Sequence, residues 1–193
     1  MEELRTGPVL PEVRIRENAD ELWDIYDQDR RPTGRTHRRG DPWPAGAYRL
    51  TVHICIFDTQ NRLLIQQRQP WKRGWSGMWD VSVGGSAQAG DDSRTTAERE
   101  VREELGLELD LTGQRPALSL CFSQGFDDFW IVHRDVAFSE LTLQPAEVQA
   151  VRRATLEQVQ AMTAAGQFIP YPHLPLLFRL AENPAAADIW RRD

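Results

Sequence analysis

The sequence predicts an α/β fold in which one mixed sheet packs against helices, and three observations predict it. Short apolar runs bounded by turn residues recur along the chain, as strands do. Among them, residues 92–106 carry the start signals, amphipathic spacing and stop signal of a helix. At 193 residues the chain is long enough to bury one sizeable core.

From the N-terminus, Leu22 to Tyr26 and a stretch near Arg35 to Arg38 flank the turn-rich segment Asp27 to Gly34, predicting a β-hairpin. Arg49 to Phe57 is strand-like, Asp58 to Asn61 is a turn, and Leu63 to Arg68 is the next strand. Asp80 to Val83 leads into a loop bounded by Gly85 and Gly90. Beyond the helix, Ala117 to Phe122 and Phe129 to Phe138 form two strands joined through Ser123 to Asp128. Thr155 to Ala165 predicts a second helix, with Thr155 as its cap and Gln158 three residues on. Pro170, Pro172 and Pro175 break the following segment, Leu176 to Ala181 makes a short helix, and the Ala-rich end is a frayed tail or helix. No internal repeat is present. Residues 1–45 are expected to be an extension that holds the hairpin and packs on the main domain at 46–180, with 181–193 a C-terminal tail.

The central helix carries the chemistry. Asp91, Asp92 and Ser93 are N-cap candidates that also place negative charge at the positive end of the dipole. Ala97, Val101 and Leu105 recur at i, i+4 and i+8, a stripe suited to packing on a sheet. Gly106 suits the left-handed position that ends a helix. On the neighbouring face stand Glu100, Glu103 and Glu104. Glu103 lies about 60° to one side of Glu100 and Glu104 about 40° to the other. Like charges so placed repel by a few tenths of a kcal/mol per pair. A hard divalent cation, Mg²⁺ or Mn²⁺, is the simplest offset, because both prefer carboxylate oxygens. A solvated acidic face is the alternative, and the agreement of loop, caps, acid spacing and terminal glycine argues against it.

The segment Gly85 to Leu107 resembles the signature box of the Nudix hydrolases. That pattern is Gly, five residues, Glu, seven residues, Arg-Glu, an aliphatic residue, any residue, Glu-Glu, any residue, Gly and an aliphatic residue. Gly85, Arg99, Glu100, Val101, Glu103, Glu104, Gly106 and Leu107 match it. Asp91 stands where the family has its first Glu, keeping the charge on a shorter side chain. The resemblance covers roughly residues 46 to 165. It implies an α/β/α sandwich, to which the hairpin is an N-terminal extension. It also implies a metal-dependent hydrolase that cleaves a pyrophosphate bond by water attack. The substrate would be a nucleoside di- or triphosphate, or a nucleoside diphosphate linked to another group.

A pyrophosphate is kinetically inert because its charged oxygens repel a nucleophile. Divalent ions on Glu100, Glu103 and Glu104 would neutralise that charge and lower the pKa of a bound water. By the same resemblance, the carbonyl of Gly84 completes the ligand set, a glycine letting backbone approach an ion closely. Arg99 points about 100° away from Glu100. It is expected to bond the loop carboxylate or orient a ligand Glu, with contact to substrate phosphate as the alternative. Glu103 is the first candidate for the base, since it sits on the ligand face. Glu147, before the later helix, is the second, and a solvated loop acid is its other reading.

A looser similarity, carried by Glu21 to Asp27, Thr36 to Gly40 and Gly77 to Gly85, is to the subgroup related to isopentenyl diphosphate isomerase. Those isomerases transfer a proton with a cysteine in the loop before the box, followed by Gly-His, the His holding metal. Here Gly84, Gly85 and Ser86 stand at the matching positions, and Arg49 stands where the first strand of that family brings another metal-binding His. His53 lies nearby and is expected in the core or at an edge. Without thiol and imidazoles, the isomerase mechanism is not expected. A non-catalytic nucleotide-binding module is a further alternative, and the intact acidic triplet argues against it.

Composition narrows the partners. A formal net charge of −6 argues against a general nucleic-acid or membrane binder and leaves a small-molecule nucleotide or diphosphate. Hydrolysis of a nucleic-acid 5′ end is a minor alternative. Neither a long apolar run nor a basic-then-apolar N-terminal signal occurs, so cytoplasmic residence is expected. Cys55 and Cys121 each sit in an apolar run and are expected to be buried, reduced strand residues. Trp71, Trp75 and Trp79 repeat every four residues, but Pro70, Gly74 and Gly77 predict an irregular loop. Core packing accounts for most of the tryptophans, while one or two, with Phe126 or Phe129, are candidates to stack a base. Arg30, Arg31, Arg35, Arg38 and Arg39 are expected on a solvated hairpin, with phosphate capture or a homodimer contact as alternatives.

Overall fold

The computed structural model describes residues 4–7 and 20–183. Its strands are β1 (Leu4–Thr6), β2 (Leu22–Tyr26), β3 (Pro32–Arg38), β4 (Arg49–Phe57), β5 (Leu63–Arg68), β6 (Trp79–Asp80), β7 (Val83–Ser86), β8 (Leu118–Phe122), β9 (Gly125–His133) and β10 (Val148–Ala154). The helices are α1 (Ser93–Leu105), α2 (Leu156–Ala164) and α3 (Leu174–Glu182). One mixed sheet runs in the order β1-β10-β5-β4-β9-β8, with β6 on β5 and β7 on β4, while β2 and β3 form a separate hairpin. The α/β class expected from the sequence is the class observed. Among the described residues, no helix is long and apolar enough to cross a membrane.

The way the sheet opens positions the site. β4 and β5 meet only where Phe57 faces Leu63. Beyond that point they diverge: β7 joins β4, with Val52 opposite Gly85, and β6 joins β5, with Gln66 opposite Asp80. On the other side of β4, β9 runs parallel along its whole length. Alternation along β4 sends Val52, Ile54 and Ile56 into one apolar cluster with Ala97, Val101 and Leu105 of α1. Cys55 and Phe57 face the opposite cluster, with Val159 and Met162 of α2 and Leu177 and Phe178 of α3. Helices on both faces follow from that two-sided apolar pattern.

α1 begins and ends where its signals lie. Asp92 is the N-cap, its carboxylate accepting from the Thr95 N–H at 2.8 Å. Gly106 closes the helix at φ 69°, a left-handed conformation that favours glycine. α2 likewise carries the Thr155–Gln158 capping box. α3 differs from expectation: Pro175 lies in its first turn, where its missing N–H costs nothing, so it begins a helix instead of breaking one. The Ala-rich end lies outside the described residues.

Two further differences have physical causes. β9 starts at Gly125, four residues before the expected strand, and ends at His133, five residues before its expected end. Asp127 and Asp128 fit inside it because the fully buried Asp128 carboxylate is held by Arg30 and by the Ser119 hydroxyl at 2.5 Å. Phe138 instead opens a short 3₁₀ turn. The sequence reading also passes over β10, whose Arg152 and Arg153 disguise it. Both are absorbed by laying the guanidinium over an aromatic ring, 4.9 Å from Trp79 and 4.7 Å from Phe138.

The hairpin is clamped to its own chain. Tyr26 exchanges backbone hydrogen bonds with Tyr48 at 2.8 and 3.1 Å, and the Gly90 N–H donates to Asp24 at 2.8 Å. Trp23, Ile25 and Tyr26 are buried. Burying each contributes roughly 1.5–3 kcal/mol before ordering costs. A chain lacking residues 1–40 is therefore expected to melt on the order of 10 °C lower. An unchanged melt would show that the hairpin is a passive appendage.

Candidate active site

A cleft of about 530 Å³ opens where β4 and β5 part, with α1 along one side. α1 buries Thr96, Ala97, Glu100, Val101, Glu104 and Leu105, so the acids at i and i+4 ride on the edge of the packing face. Glu103 lies outside that edge, its side chain 47% exposed. Gly85 makes room for Glu100: a Cβ there would lie 2.1 Å from the Glu100 carboxyl carbon. The five residues expected at the site, Gly84, Glu100, Glu103, Glu104 and Glu147, all line this one cleft.

Arg99 ties loop to helix. Its Nε donates to Asp91 at 3.0 Å and its Nη2 to the Ser86 carbonyl at 3.2 Å. Nη1 reaches Glu100 at 2.9 Å and Glu103 at 3.3 Å. The shorter Asp91 therefore still anchors the loop, with Arg99 bonding that loop carboxylate as well as Glu100 and Glu103. Deeper in, Glu104 accepts from the Gln66 amide at 2.9 Å.

Charge is scarce where these acids are buried. Desolvation pushes the Glu100 carboxyl up to about 7, with Arg99 pulling down and the Glu103 charge adding to the rise. Glu104 is held well above the ordinary range, first by burial and then by the charges of Glu100 and Glu147. Buried acids short of positive charge, beside a glycine strand, are a donor set suited to a hard divalent cation. Among the described residues, no three acids or imidazoles already converge as a closed coordination sphere. Glu100 and Glu103 are turned onto Arg99, and Glu104 onto Gln66.

The facing wall corrects one expectation: His53, expected in the core or at an edge, lines the cleft beside Arg49, and Thr51 was passed over. Arg49, Thr51 and His53, at i, i+2 and i+4 of β4, line the cleft together. Their strict alternation with Leu50, Val52 and Ile54 was the available signal. His53 stacks on Phe129 at 4.5 Å and 11°, and its Nε2 lies 3.5 Å from Asp127. Tyr171 donates to Asp80 at 2.8 Å on the same wall. At the far end, the Lys72 ammonium sits 2.5 Å from Glu147, so Glu147 is a paired acid of the cleft and not a solvated loop acid.

Several expectations are corrected. Cys55 is fully buried, but Cys121 points outward from β8 and is exposed. Phe126 and Phe129 are buried in packing and present no face for a base. Of the hairpin arginines, Arg30 is committed to Asp128 and Arg39 to Glu21 at 2.6 Å, so neither is merely solvated. Trp75 does lie at the cleft mouth, 53% exposed and at φ 52°, a conformation strained for a bulky residue. Among the described residues, the cleft lining contains no cysteine.

Comparison with known proteins agrees with this geometry. The family model described as the NUDIX domain matches residues 47–175. An uncharacterized Nudix hydrolase of Listeria monocytogenes is 47% identical over 160 residues, covering 83% of this chain and 95% of that one. An isopentenyl-diphosphate Delta-isomerase of Citrobacter koseri is 27% identical over 175 residues, covering 86% and 93%. A solved structure from Deinococcus radiodurans superposes with a TM-score of 0.68 at 26% identity, covering 82% of this chain and 98% of that one.

Proposed function

Because the chain belongs to the Nudix hydrolases, a pyrophosphohydrolase family, we propose that it cleaves the pyrophosphate bond of a nucleotide or nucleoside diphosphate derivative by water attack, using Mg²⁺ or Mn²⁺. The observation that carries this reading is the gathering of Glu100, Glu103, Glu104 and Glu147 in one cleft with too little positive charge to balance them. Glu100, Glu103 and Glu104, with the Gly84 carbonyl, would hold the cation. When bound, it supplies positive charge that offsets the pyrophosphate and acidifies water.

The chain's own groups do the rest. Arg99 fixes the end of β7 and the loop after it against α1 through the Ser86 carbonyl and Asp91. Glu103 takes the proton from the attacking water. Its side chain is open to solvent, and its contact to Arg99 is a long 3.3 Å. Glu147, already committed to Lys72, is the second choice. Loss of the isomerase thiol position to Gly84, with no cysteine in the cleft lining, removes the acid–base group of the rival mechanism.

Trp75 supports a nucleotide as the substrate class. A strained, exposed indole at the mouth of this cleft is available to stack a base. Trp75→Ala is expected to raise KM for a nucleotide about tenfold while leaving its kcat within a factor of two or so. An unchanged KM would remove this ring from recognition. The reading as a whole is tested by chromatography of a panel of nucleotides and sugar nucleotides incubated with Mg²⁺, which resolves nucleoside mono- and diphosphates, sugar phosphate, pyrophosphate and phosphate. Hydrolysis of none of them would end it.

A further inference from the structure

Arg49 differs from every other cation lining the cleft. Arg39 is paired with Glu21, Arg68 with Asp80 at 3.4 Å, Lys72 with Glu147, and Arg99 with three carboxylates. Among the described residues, none forms an ion pair or hydrogen bond with the Arg49 guanidinium, Asp127 acts on it only through space, and its Nε is buried without a partner. Three rings surround it instead: Trp23 at 5.5 Å, Phe122 at 5.7 Å and Trp43 at 5.9 Å. Aromatic faces offset the loss of water around the charge, but they accept no in-plane N–H bond. The fork is therefore held in place with its donors uncommitted.

Buried donors without acceptors are rare because they are costly, and a ligand that brings the acceptors removes the cost. A guanidinium fork matches two oxygens of one phosphate. With rings on three sides, the group that reaches it must be compact. We propose that Arg49 anchors the substrate by binding its terminal β- or γ-phosphate, a group AMP lacks, so that nucleotides ending in such a free phosphate are preferred over those whose diphosphate is capped. This rests on the pyrophosphate reading above and sharpens it to nucleoside di- and triphosphates.

The test measures binding, so it stands apart from turnover. Adenosine 5′-(α,β-methylene)diphosphate, which resists hydrolysis at the bridged bond, and AMP are titrated calorimetrically into the full chain with Mg²⁺. Arg49→Met keeps an apolar stem between the rings; Arg49→Lys keeps the charge but loses the fork. Both variants should melt within a few degrees of the parent. Arg49→Met should weaken the methylene analogue by about tenfold or more, Arg49→Lys by less, and neither should change AMP. If Arg49→Met binds the analogue like the parent, weakens AMP equally, or if the parent does not bind the analogue, the anchor is wrong. Should Arg49→Met fail to fold, Arg49→Lys decides alone: parental affinity for the analogue overturns the proposal. Arg49-dependent binding with no hydrolysis of any nucleotide would keep the anchor and end the hydrolase reading.

Discussion

Glu103→Gln is expected to lower turnover by about 100-fold or more, the usual scale for losing a general base, while the protein stays folded. The amide preserves size, and removing a charge beside Glu100 relieves repulsion along α1 by at most a few tenths of a kcal/mol. The side chain is half exposed with one long contact to Arg99, so little packing is lost. The melting temperature should therefore hold or rise slightly. Glu147→Gln, measured beside it, should cost much less. If Glu103→Gln stays within about threefold of the parent, the proton goes elsewhere, and Glu147→Gln should then be the crippled variant.

The second large effect is on stability against pH. Glu100, held up to about 7 by burial, keeps its proton in the folded chain after the unfolded chain has lost it, and Glu104 moves in the same direction. Below the ordinary carboxylate range both states are protonated and nothing is lost. As pH rises through 4.5 toward 7 the folded state binds more protons than the unfolded one, so stability falls. For Glu100 alone the loss is roughly 3 kcal/mol at neutral pH. In chelator, the melting temperature should thus drop by roughly 5 °C or more between pH 5 and pH 7.5. Mg²⁺ should restore it at pH 7.5 and do little at pH 5, because a cation binds the ionised carboxylates. A melt that is flat with pH in chelator would contradict the buried-acid account.

Much of this was legible from the sequence where local rules act alone. α1 is fixed by Asp92, Gly106 and the Ala97–Val101–Leu105 stripe, and the acids follow from the same period. The sheet strands with clean apolar runs, β4 and β5, lie at their expected bounds. What escaped depends on partners distant in sequence. β10 carries two arginines that are accommodated over Trp79 and Phe138, with Asp58 also pairing Arg153 at 3.4 Å. Asp128 is accommodated inside β9 because Arg30 reaches it from the hairpin and Ser119 from β8. The wall of Arg49, Thr51 and His53 needed the register of β4 against β7 and β9, which places Gly84 opposite His53.

The central claim is that the carboxylate cleft works through a divalent cation. Its most direct measurement is phosphate release from nucleoside diphosphates by the purified chain, first with EDTA and then with Mg²⁺ or Mn²⁺ added in excess. The expected result is no release in chelator and full recovery on adding the metal, with no recovery in a Glu104→Gln variant that remains folded. Turnover that proceeds equally in EDTA would contradict the account.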